Sequence, residues 1–95
     1  MNKETRVVAV AGTVSSTLDD EAVILHVTSG KYFGLNEVGQ FIWQRIHEPA
    51  KVGDLCKAVQ EEYAVNAGQC EKDVITLLDT LAEKGLIEVH AETGS

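Results

Sequence analysis

The 95-residue chain predicts an α+β fold: a three-stranded antiparallel sheet followed by three α-helices, in a winged helix-turn-helix-like arrangement. Three observations carry this. Up to Leu35 the apolar residues follow the two-residue period of a strand, and from Asn36 they follow the period of a helix. Gly30 sits between two β-rich runs, where a short hairpin needs positive φ. Downstream, three helical stripes are separated by Pro49 and by "AVNAG", and Gly85 ends the last one.

Each element follows from its residues. Arg6 to Leu18 is β-rich, with Gly12 as a break or bulge. Asp19, Asp20 and Glu21 read as a turn. Ala22 to Thr28 is the clearest strand. Val23, Leu25 and Val27 share one face and Ala22, Ile24 and His26 the other, so it is expected at the centre of the sheet. Lys31 to Leu35 returns beside it. Asn36 caps the first helix, whose apolar positions are Val38, Phe41, Ile42 and Ile46, with Trp43 beside them and an end near His47. The second helix starts near Lys51 and buries Val52, Leu55, Cys56, Val59 and Tyr63. The third runs from about Gln69 to Lys84, with Cys70, Val74, Leu77, Leu78 and Leu81 on one face. "LIEVH" adds a short extended tail. The length suits a single domain over residues 1–95, with polar, frayed ends at 1–5 and 91–95.

Composition narrows the function. A net charge of −7 repels phosphate backbones and argues against nucleic acid and anionic membranes. The third helix holds Glu71, Asp73, Asp79 and Glu83 against Lys72 and Lys84, the wrong sign for a recognition helix. Neither a signal peptide nor a membrane span is expected, so the protein reads as cytoplasmic. Cys56 and Cys70 read as small buried thiols. His26, His47 and His90 lie on separate elements without ligand spacing, and the glycines of "GKYFGLNEVG" lack the order of a phosphate loop. No catalytic residue, metal site or cofactor is expected.

What remains is the sheet edge. A three-stranded sheet has two edges, and an open edge offers N–H and C=O groups to an extended peptide. Gly34 lies mid-strand in "KYFGL", where another backbone can come close. The residues alone point to a peptide-binding or subunit-binding module. Alternation leaves open which of Tyr32 and Phe33 turns outward.

"DDEAVILHVTSGKYFGLNEVGQFIWQRI" resembles the PqqD-like proteins, also called RiPP recognition elements. The matching features are the strand Ala22 to Val27, the hairpin Gly30-Lys31-Tyr32-Phe33, Leu35-Asn36, and Gly39 to Trp43. In the second half they are Asp73-Val74, Leu77-Leu78, Leu81 and Gly85-Leu86-Ile87. The likeness spans roughly residues 13–90 and looks most like members serving lasso-peptide or radical-SAM peptide maturation. His26 departs from the Asp or Glu that many members carry. The resemblance implies a non-enzymatic chaperone, without cofactor, that binds the leader of a ribosomally made precursor peptide. It would present that precursor to a leader peptidase or a radical-SAM enzyme, as a monomer or weak homodimer. The leader would add to Lys31, Tyr32, Phe33, Gly34 and Leu35 and lie against the third helix. On that helix Asp73, Thr76, Leu77 and Thr80 lie to one side of the core stripe and Ile75 and Asp79 to the other. The first side is taken as the groove wall, with Val74 and Leu77 as pocket floor. A winged-helix DNA-binding regulator and a homodimeric structural subunit are the alternatives.

Overall fold

The computed structural model describes residues 1–18 and 21–90. In chain order the elements are β1 (Arg6–Ala9), β2 (Thr13–Leu18), β3 (Glu21–His26), β4 (Tyr32–Leu35), α1 (Glu37–Arg45), β5 (Ala50–Lys51), α2 (Val52–Tyr63), α3 (Ala67–Glu83) and β6 (Ile87–His90). The expected α+β class holds, with three helices and an antiparallel sheet ordered β2-β3-β4. The central position of the expected Ala22–Thr28 strand holds as well, although β3 ends at His26 and Val27 and Thr28 belong to the turn. Asp19 and Asp20 of the expected turn, and the expected frayed end at 91–95, lie outside the described residues. Glu21 already belongs to β3.

The β-rich stretch from Arg6 to Leu18 divides at Gly12, whose φ of +84° turns the chain. Its first part leaves the main sheet. β1 instead forms the middle of a second antiparallel sheet, ordered β5-β1-β6. This burial explains the division: Val7 is fully buried, and "LIEVH" supplies β6, with Val7 opposite Val89. The extended tail is thus a paired strand.

The helices are set by their caps. Asn36 Oδ1 accepts from the Gly39 N–H at 2.8 Å and starts α1. A Cβ at Gly39 would meet Leu35 Cδ2 at 3.0 Å, so a small residue is needed there. α1 ends at Arg45, two residues before the expected His47, with Ile46 as its C-cap. α3 starts at Ala67 rather than Gln69, because Asn66 Oδ1 accepts from the Gly68 and Gln69 N–H groups. At its other end Gly85 takes φ +74°, the Gly85 N–H donates to the Ala82 carbonyl, and the Leu86 N–H donates to that of Leu81. That paired closure is the Schellman stop expected of a glycine here.

Ile24, Ile42, Ile46, Leu55, Leu78, Leu81 and Leu86 form the centre of the core. Each such side chain stabilises the fold by roughly 1.5–3 kcal/mol through removal from water. The sheet β2-β3-β4 is covered on one face only. Ala22 and Ile24 of β3 are buried, while Leu25, Val14 and Tyr32 on the opposite face are exposed. The apolar residues on both faces of β3 are therefore not evidence of two covered faces.

Candidate functional site

The hairpin that ends in β4 is closed by His26. The His26 N–H donates to the Lys31 carbonyl, and the Gly30 N–H donates to the His26 carbonyl, each at 2.8 Å. His26 Nδ1 accepts from the Ser29 N–H at 3.2 Å and lies 2.8 Å from Ser29 Oγ. An Asp or Glu at this position would offer an acceptor to the same N–H. The departure from the expected carboxylate thus retains a local polar contact.

The His26–Lys31 bond also sets the ladder. Antiparallel pairs alternate between hydrogen-bonded and non-bonded. Phe33, opposite Ile24, and Leu35, opposite Ala22, therefore turn their main-chain groups toward β3. The N–H and C=O groups of Tyr32 and Gly34 turn to the outer edge. Among the described residues no strand pairs with that edge.

The side chains alternate the other way. Leu35 is buried and Phe33 is half-buried against the core. Tyr32 is the outward ring, 73% exposed. A Cβ at Gly34 would meet nothing within 4 Å, so this glycine leaves open space beside the edge.

α3 runs past β4 in the opposite direction and forms a groove with it and with α1. At one end a hollow of ≈ 680 Å³ is lined by Gly30, Lys31, Tyr32, Thr80, Glu83 and Lys84. At the other a hollow of ≈ 410 Å³ has Val38, Ile42, Val74 and Leu77 as apolar lining, with Asn36, Gly39, Asp73, Thr76 and Thr80 around them. Thr80 borders both hollows. A third, of ≈ 360 Å³, lies at the end of β4 between Glu21, Gly34, Leu35, Asn36 and Glu37.

The fold thus brings Asp73, Val74, Thr76, Leu77 and Thr80 together on one wall, while Lys31 and Tyr32 stand at the opposite end of the groove. Val74 is 1% exposed and Leu77 half-buried, so they form the base rather than the rim. Phe33 borders none of the three hollows; its ring lies 5.8 Å from Lys84 Nζ. The Thr76 and Thr80 hydroxyls donate to the Lys72 and Thr76 carbonyls of their own helix. Asp73 accepts from Gln69 Nε2 at 2.8 Å and is exposed. Ile75 and Asp79, on the other side of the stripe, line neither groove hollow.

Asn36, Val38, Gly39 and Ile42 border the groove although nothing in the sequence marks them for it. Their helical spacing marks them as cap and core, and only tertiary packing opens part of that surface to the groove. Glu21, Glu37, Glu83 and Lys84 carry no such mark either, since an exposed charge leaves no periodic signal.

Cys56 and Cys70 are buried and free, and the Cys70 thiol donates to the Cys56 carbonyl at 3.4 Å. Burial, reinforced by Cys70 and Glu71, pushes the Cys56 thiol up to about 11. Burial also raises Cys70. His47 packs edge-on against Trp43, and His90 Nε2 lies 3.9 Å from Glu88. Among the described residues no group of three or more His, Cys, Asp and Glu could hold a metal ion, and no helix is long and apolar enough to cross a membrane.

Residues 21–87 match the family model described as coenzyme PQQ synthesis protein D (PqqD). Among solved structures, the chain is similar to TbiB1 in complex with the TbiA(beta) leader peptide. That match has 37% identity and a TM-score of 0.76, over 85% of this chain and 94% of that one. It is also similar to lasso peptide synthetase B1 complexed with its leader peptide. There the identity is 27% and the TM-score 0.72, over 90% of this chain and 98% of the other. No curated protein matches the chain.

Proposed function

The chain belongs to the PqqD family, and on that premise we propose that it is a non-catalytic protein that binds the leader segment of a ribosomally made precursor peptide. The leader adds as a strand to the outer edge of β4, over Lys31, Tyr32, Phe33, Gly34 and Leu35. It lies against the Asp73, Val74, Thr76, Leu77 and Thr80 side of α3. The observation that carries this reading is the edge of β4, which no strand pairs with among the described residues and which faces a groove, in a fold shared with two proteins solved with leader peptides.

The physics follows from that geometry. Main-chain hydrogen bonds to Tyr32 and Gly34 hold an extended segment with little regard to its sequence. The hollow over Val38, Ile42, Val74 and Leu77 takes an apolar leader side chain and supplies selectivity. Holding the leader this way leaves the rest of the precursor available to a maturation enzyme, either a leader peptidase or a radical-SAM enzyme. The reading as a DNA-binding regulator is not supported: α3 presents a net negative charge where phosphate contacts need cations.

Calorimetric titration with the TbiA(beta) leader peptide tests the reading. Binding is expected for the wild-type chain and is lost in Leu77→Arg. Leu77 is half-buried at the groove, so its replacement should leave the helical circular dichroism intact. Unchanged affinity in that variant would remove the groove from consideration as the site.

A further inference from the structure

The groove has a sign at each end. Lys31 and Lys84 stand at the start of β4, with Glu83 beside them, a local charge of +1. Glu21 and Glu37 stand at the end of β4, and Asp73 faces that end from α3, a local charge of −3. Lys31, Lys84, Glu21, Glu37 and Asp73 are all exposed. Among the described residues none of the five has an ion-pair partner within 4 Å. Asp73 accepts from the neutral Gln69 side chain at 2.8 Å, and the Phe33 ring centroid lies 5.8 Å from Lys84 Nζ; neither contact neutralises a charge.

The helix dipoles oppose this pattern but do not cancel it. The N-terminus of α1 adds about +0.5 at the acidic end, and the C-terminus of α3 about −0.5 at the basic end. Both signs survive. From Lys31 to Asn36 an extended chain covers roughly 17 Å. The screening length at physiological salt is about 8 Å, so each end acts on its own part of a bound peptide.

Resting on the peptide-binding reading above, we infer that the groove selects leaders by the order of their charges. A strand could add to β4 in either direction through main-chain bonds alone. Both pairings within β2-β3-β4 are antiparallel, and that geometry is slightly more stable per residue. An antiparallel leader places its N-terminal part over Glu21, Glu37 and Asp73 and its C-terminal part over Lys31 and Lys84. The recognised segment therefore carries Lys or Arg first and Asp or Glu about four to six residues later, at one residue per ~3.3 Å. Apolar residues between them enter the groove. The two charges fix both direction and register, which main-chain bonds leave undetermined.

Panning of phage-displayed random dodecapeptides tests this, with the wild-type chain and the charge-swapped variant Glu21→Lys, Glu37→Lys, Lys31→Glu, Lys84→Glu. The four positions are exposed, and circular dichroism verifies that the variant is folded. Wild type should enrich base-before-acid peptides and the variant acid-before-base ones. Two synthetic peptides of opposite order should differ roughly tenfold in affinity, with the preference inverted in the variant. The single variant Lys84→Glu should weaken the wild-type preference without inverting it. Enrichment with no charge order, or an order that does not invert, overturns this inference and leaves peptide binding standing. No enrichment of any peptide overturns both.

Discussion

At Cys56 the burial that packs α2 against α3 also sets an alkaline limit to stability. The thiol is pushed up to about 11 in the folded chain, from 9.0 when exposed. Above pH 9 the unfolded chain binds fewer protons than the folded one, so stability declines as pH rises from about 9 toward 11. Cys70 is raised too and adds to the same slope. Thermal unfolding midpoints from pH 8 to 11 should fall, and fall less steeply in Cys56→Ala. Equal slopes in the two proteins would mean that other groups cause the decline. Individual side chains also mark where sequence reading stops. Alternation states that Tyr32 and Phe33 point to opposite faces, but it carries no sign. Which one is outward was decided by Ile24 and Ala22, whose burial draws Phe33 and Leu35 inward across the ladder.

Caps and breaks made the elements legible. Asn36, Gly30 and Gly85 act through local geometry, so their roles can be read without knowing the fold. Asn66 is of the same kind, and it sets the start of α3 by accepting from two N–H groups. Asn66→Ala should lower stability by about 1 kcal/mol in denaturant unfolding. Leader affinity should not change, because Asn66 lines none of the groove hollows. An affinity loss larger than the stability loss would tie the start of α3 to the groove. The division of Arg6–Leu18 between two sheets was not legible in the same way. Gly12 announces a break, but only the distant residues of β5 and β6 determine where β1 goes.

For the molecule as a whole, the net charge of −7 adds a long-range term to the local ones. A net-positive leader is drawn in before it touches the groove, and salt screens that attraction. Raising sodium chloride from 50 to 500 mM should weaken calorimetric affinity for such a leader by several-fold. A flat response would mean that apolar contact alone holds it. The shortness of β4 has a different consequence. Only Tyr32 and Gly34 present outward main-chain groups, so the edge can template no more than a few bonds to another chain. Fibril growth needs long runs of such bonds repeated through many copies. An edge this brief can stay open for a ligand while remaining a poor seed for aggregation.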